Sequence, residues 1–178
     1  MNNDFIILLA NGYPQSGKDT FVDALHALAS ANGIHCHKYS TVQTIKEMAR
    51  ILGWDGVKTP LVRAQLSELK DYCTKKFDLS FREIAQLIQD MDKVKDKPKL
   101  LSVMIREPDE IERLIYHYKG WKDLRVLTIE VKRNVSTKTI ASNHADRDIG
   151  DIEYDYTIYN NGTIYDLTRT IVNFLEEL

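Results

Sequence analysis

Nine consecutive residues, Gly12-Tyr13-Pro14-Gln15-Ser16-Gly17-Lys18-Asp19-Thr20, carry the chemistry that is easiest to read in this chain. Its two glycines let the backbone curl until successive N–H groups point into one hollow, where the oxygens of an anion would lie. Lys18 adds a mobile point charge, and a helix beginning near it would add the positive end of its dipole. Gly12, Gly17 and Lys18 satisfy the spacing G-x-x-x-x-G-K, whose chemistry is a grip on nucleotide phosphates. The usual pattern then has Ser or Thr to hold Mg2+, but here Asp19 follows and the hydroxyl comes one step later, at Thr20. Asp19 either caps and pairs locally or sits near the metal.

A loop of this kind needs a buried strand before it and a helix after it. Phe5-Ile6-Ile7-Leu8-Leu9-Ala10 is a short, unbroken apolar run, which predicts a strand covered on both faces. Phe21, Ala24, Leu25, Leu28 and Ala29 then share one helical face, and Asn32-Gly33 stops the helix. Residues 34–39 predict a second strand.

The next helix shows Ile45, Met48, Ala49 and Leu52, broken at Gly53-Trp54-Asp55-Gly56. Thr59-Pro60 supplies a cap and first-turn proline for a helix with Val62, Leu66, Leu69 and Cys73 on one face. Ser80 and Glu83 predict a capping box before Ile84, Leu87, Ile88 and Met91. The lysine-rich stretch 93–99 reads as a solvated connection.

Alternation then resumes. Residues 100–105, 125–131 and 154–159 read as strands. Ile111, Leu114, Ile115 and Tyr118 mark one helix, and Leu167, Ile171, Leu175 and Leu178 mark the last. The polar stretch 133–151 has no apolar period and reads as a lid-like loop. Strands alternating with helices imply right-handed crossovers. The expected fold is a three-layer α/β domain with five parallel strands and helices on both faces.

The bulk numbers agree with one such domain: 178 residues, 43% of them hydrophobic and 28% charged,. A net charge of −2 gives no global basic field, so a nucleic-acid polymer is not an expected partner,. Cys36 and Cys73 match no zinc or redox spacing and read as buried thiols. The start of the chain lacks the basic, then long apolar, pattern of a secretory signal. No stretch approaches the roughly 20 apolar residues of a membrane span. No membrane association is expected, and the cytoplasm is the expected compartment.

Gly17-Lys18-Asp19-Thr20 resembles the nucleoside monophosphate kinases, and among them the phage and bacterial deoxynucleoside monophosphate kinase-like proteins. Tyr39-Ser40, ahead of a helix containing Lys46-Glu47, resembles the stretch where their acceptor nucleotide enters. Ile105-Arg106-Glu107-Pro108-Asp109-Glu110-Ile111 resembles their strand-end arginine followed by an acidic helix start. Asp155-Tyr156-Thr157-Ile158, then Asn160-Asn161-Gly162-Thr163, resembles the closing strand and loop that lie against adenine.

The resemblance implies ATP and Mg2+ as cofactors and transfer of the γ-phosphoryl group to a nucleoside or deoxynucleoside monophosphate. Gly12, Gln15, Ser16, Gly17, Lys18, Asp19, Thr20, Asn161 and Gly162 would hold ATP, with Thr20 and Asp19 toward the metal. Ser40, Arg63 and Arg106 would hold the acceptor. Lys18, Arg106, Arg133 and Arg147 would neutralise the transferring group, Arg133 and Arg147 from the lid-like stretch.

One position departs from the family pattern. Related kinases often carry an aspartate two residues before the strand-end arginine, and Met104 stands there in this chain. A thioether cannot serve a hard cation that wants oxygen ligands. Metal anchoring then falls to Thr20, to Asp19, or to Glu110 or Glu130; alternatively, transfer is lost and ATP binding persists in a regulator. A kinase of another small acceptor is a further alternative. There is no Asn-Lys-x-Asp and no Asp-x-x-Gly after the third strand, which disfavours a GTPase. His144 and Asp146 read as solvated loop residues. The acceptor base and the oligomeric state, a homodimer included, stay open.

Overall fold

The computed structural model describes residues 5–134 and 152–178. At its centre is β1 (Phe5–Asn11), buried along its whole length. Around it lie β2 (His35–Ser40), β3 (Lys99–Met104), β4 (Leu124–Lys132) and β5 (Tyr156–Tyr159), in the order β2-β3-β1-β4-β5, with all pairings parallel.

Successive side chains of a strand point to opposite faces. Ile6, Leu8 and Ala10 pack with Phe21 and Leu25 of α1 (Lys18–Ala31) and with Ile171 and Phe174 of α6 (Ile164–Glu177). Phe5, Ile7 and Leu9 pack on the other side, with Ile84 and Ile88 of α4 (Leu79–Asp92) and Ile111 and Leu114 of α5 (Pro108–Tyr118). Burying each such side chain contributes about 1.5–3 kcal/mol. Both faces are covered, and that is why the run 5–10 is apolar without alternation.

Two helices stand apart from these layers: α2 (Gln43–Ile51) and α3 (Pro60–Phe77). Thr59 caps α3 as expected, its hydroxyl accepting from the Val62 N–H at 3.2 Å. Asp78, in the left-handed region at φ 53°, is the only residue between α3 and α4. Arg113 holds its carboxylate at 2.5 and 2.7 Å.

Three expectations are corrected. The Ser80–Glu83 capping box does not form: the Ser80 hydroxyl meets that of Thr74 at 3.3 Å, and Glu83 accepts from Tyr39 and, at 2.6 Å, from Thr44. Tertiary partners win over the local cap. A capping box does form at α6, between Thr163 and Asp166. Lys99 is no solvated linker residue; it opens β3, 7% exposed, and its ammonium donates to the Val94 carbonyl at 3.1 Å. The last strand begins at Tyr156 rather than at 154, because Asp155 turns inward to accept from the Thr128 N–H and hydroxyl at 2.7 and 2.8 Å. Most of the lid-like stretch, with Arg147, His144 and Asp146, lies outside the described residues. Among the described residues no helix is long and apolar enough to cross a membrane.

Candidate active site

The loop between β1 and α1 is built from backbone constraints. Gln15 and Gly17 both have positive φ, 66° and 86°. Left-handed residues within a short loop turn neighbouring N–H groups toward one concavity. Gly12 has φ 154°, and a Cβ there would stand 2.6 Å from the Val131 carbonyl oxygen of β4. A Cβ on Gly17 would overlap the Asn160 amide. Lys18, 8% exposed, opens α1 directly after Gly17, so its ammonium and the helix N-terminus serve the same hollow,.

Two asparagines lock this loop to the rest of the sheet. Asn11, fully buried, accepts the Gly12 N–H at 2.7 Å and donates to the Tyr154 hydroxyl at 2.8 Å and to the Arg106 carbonyl at 3.3 Å. Asn160 donates to the Ser16 carbonyl at 3.0 Å, while its own N–H bonds to the Lys132 carbonyl at 2.7 Å. Among the described residues, the Ser16 hydroxyl is the buried side-chain polar atom with no hydrogen-bond partner. Leaving such a group unmade costs about 1–3 kcal/mol, so a ligand oxygen has something to satisfy here.

Beside the loop opens a cleft of about 970 Å³, counting the space continuous with solvent. Its walls come from the ends of β2 and β3 and from α2 and α3. The charged lining is Lys18, Asp19, Lys46, Lys58, Arg63, Lys70, Arg106 and Glu107, six cations against two carboxylates. Burial, and then the neighbouring Lys58 charge, lower the pKa of Lys46 below the ordinary lysine value, with Arg106 and Arg50 adding to the effect. An anion entering the cleft would favour the charged form of Lys46.

Lys70 is the most deeply buried of these cations. Only 4% exposed, it ion-pairs with Glu107 and, at 3.3 Å, with Glu110. Burial opposes ionisation of Glu107, but the Lys70 charge and hydrogen bond hold its carboxyl below the usual range. At Glu110, burial prevails together with the Glu107 charge, and its pKa rises.

Of the residues singled out in the sequence, the cleft brings together Lys18, Asp19, Ser40, Arg63 and Arg106, with Met104 between them. Gly12, Gln15, Ser16 and Gly17 form the loop itself. Thr20 is exposed on the first turn of α1 and does not line the cleft. Arg133 is exposed at the end of β4, across β1 from the cleft. Asn161 accepts the Asn134 N–H at 2.7 Å, and Gly162 packs over the Asp166 cap; neither reaches the loop as Asn160 does.

Glu130 is 3% exposed and pairs with Lys132 at 2.9 Å. Sequence reasoning gave no role to Asn11, Lys58 or Lys70, and in the 160–163 loop it chose Asn161 and Gly162 over Asn160. Only the asparagine following an apolar strand and the one ending the last strand offered a signal. Among the described residues no group of three or more His, Cys, Asp or Glu is arranged to hold a metal. Mg2+ needs no such cage, since it keeps several waters and takes one or two protein oxygens beside phosphates.

No protein-family model and no curated protein matches the chain in sequence. Its fold has solved counterparts. The APS kinase of Mycobacterium tuberculosis, solved with AMPPNP and APS, aligns with a TM-score of 0.54 at 13% identity, over 97% of this chain and 98% of that one. A Chloroflexus aurantiacus protein, whose kinase assignment is itself an inference, aligns with a TM-score of 0.54 at 14% identity, over 99% and 98%. The protein APE1195 aligns with a TM-score of 0.52 at 14% identity, over 99% and 97%. The chain has the five-stranded α/β fold of P-loop kinases. Likeness at this identity is one of fold and does not carry an acceptor across.

Proposed function

We propose that this protein is an ATP-dependent phosphotransferase whose acceptor is a small anion, first of all a nucleoside or deoxynucleoside monophosphate. One observation carries the reading: a single cleft joins Lys18 of the phosphate loop to Lys46, Lys58, Arg63 and Arg106. Donor and acceptor phosphates would meet there among fixed cations. Phosphoryl transfer asks a protein mainly for positioning and neutralisation of charge.

In this reading the N–H groups of Gln15, Gly17 and Lys18 and the Lys18 ammonium hold the donor phosphates,. Ser16 offers its unsatisfied hydroxyl to them. Arg106, at the carboxyl end of β3, faces the transferring group, and Arg63 and Lys46 hold the acceptor. An acceptor phosphate is already an ionised nucleophile, so no general base is required. Mg2+, when bound, would neutralise the donor phosphates, with Asp19 and Thr20 as its protein oxygens and no contribution from Met104. Arg133, Arg147, Asn161 and Gly162 remain proposed contributors around the donor nucleotide. A cytoplasmic location also belongs to this proposal.

A second reading has one observation behind it. Met104 lines the cleft where a metal-binding acid would be useful, which suits a regulator that binds ATP without transferring from it. Release of ADP from Mg-ATP across a panel of ribo- and deoxynucleoside monophosphates and other small anionic acceptors separates the two. The kinase reading expects one or two strong responders. Silence across the panel, with ATP still bound, would establish the regulator in its place.

A further inference from the structure

The helix that presents Arg63 to the cleft is weakly rooted. Of the 18 residues of α3, only Lys70 and Cys73 are buried. Arg63, Leu66, Ser67 and Lys70 follow the i, i+3, i+4, i+7 spacing of one helical stripe, and all four line the cleft,. The polar anchor of that stripe is Lys70, clamped between Glu107 and Glu110 of the turn that starts α5. The same Glu107 oxygen that meets Lys70 also accepts the Arg106 N–H, at 3.3 Å.

We propose that Lys70 is a positioning residue for phosphoryl transfer, setting Arg63 of α3 in register with Arg106 at the end of β3 through Glu107. The proposal rests on the reading of this cleft as an acceptor site. Stability alone is a poor reason for a buried lysine and two half-buried carboxylates to cluster here. Apolar replacements of buried ion pairs are often neutral or stabilising. A directional cluster fixes geometry in a way that apolar packing does not. Lys70 and Glu107 share their oxygen with the backbone of the residue whose placement matters most.

The test compares Lys70→Met, which keeps the length of the side chain without its charge, with Lys70→Arg. Both are assayed with Mg-ATP and the best acceptor of the panel, alongside binding of inorganic phosphate to the ATP-free protein. Lys70→Met should lower kcat/KM for the acceptor about 10- to 100-fold, while KM for ATP stays within about twofold and Lys70→Arg recovers most of the loss. Glu107→Ala should cost more than Glu110→Ala, because only Glu107 accepts the Arg106 N–H; this pair decides the matter if Lys70→Met fails to fold.

Unchanged acceptor kinetics, or an equal rise in KM for ATP, would overturn the proposal. If the parent protein is silent toward every acceptor, the kinase reading fails by itself. Phosphate binding then judges the pin: about tenfold weaker in Lys70→Met and restored in Lys70→Arg supports it, and equal affinity refutes it.

Discussion

The proposed donor and acceptor sides of the cleft are held by different kinds of force. On the donor side the loop is fixed by backbone geometry, by the missing Cβ atoms of Gly12 and Gly17, and by the buried amide of Asn11. On the acceptor side α2 and α3 expose much of their apolar surface, with Ile51 85%, Leu52 79% and Leu61 68% exposed. Shape on the donor side is set by atoms that no substitution can spare. On the acceptor side it is set by long side chains on lightly packed helices. Under the proposed function, a grip on phosphate could therefore stay constant while the choice of acceptor changes.

Substitutions can break or sharpen that contrast. The largest effect is expected from Lys18→Ala, which should lower kcat about 10³-fold, the order seen when one charge-stabilising donor is removed. The thermal midpoint should move by only a few degrees, about what 1 kcal/mol does in a domain of this size. Turnover at the parent rate would refute the donor assignment. Next comes Gly12→Ala, which should cost about 2 kcal/mol in denaturant unfolding, because the added methyl meets both a backbone carbonyl of β4 and the buried Ser16 hydroxyl,. If stability held, the donor side would be softer than its packing implies.

The smallest structural effect belongs to Arg63→Ala. Arg63 is exposed on α3, so stability should shift by no more than about 0.5 kcal/mol,. The acceptor KM should nevertheless rise about tenfold, with ATP affinity unchanged. A large stability loss here would erase the distinction between the two sides.

The same contrast explains what the sequence disclosed. The central strand and the phosphate loop were legible because local rules decide them: a run buried on both faces, and glycines where side chains would collide. Asn11 and Asn160 were not, since their partners lie far along the chain, at Tyr154, Arg106 and Ser16. Ser80 and Glu83 have the right spacing for a cap, but Tyr39 and Thr44 claim the carboxylate from another part of the fold. Lys99 belongs to a lysine-rich run, and only its place under the ring of Phe5, with its ammonium 5.6 Å from the ring centre, shows why it is buried. Arg63 and Arg106 could be named from sequence. The buried lysine linking their supports could not, because nothing local distinguishes it from the other lysines of α3.

The strand order also bears on how the molecule behaves in crowded solution. An open sheet has two margins whose unpaired peptide groups could recruit a strand from another copy. At one margin β5 offers only four residues. At the other, β2 carries exposed His37 and a partly exposed Lys38 that pairs with Asp23. A strand added there would have to strip water from these groups, and the short ladder gained would not offset that loss. Among the described residues, both margins thus oppose fibre-like growth by strand addition,.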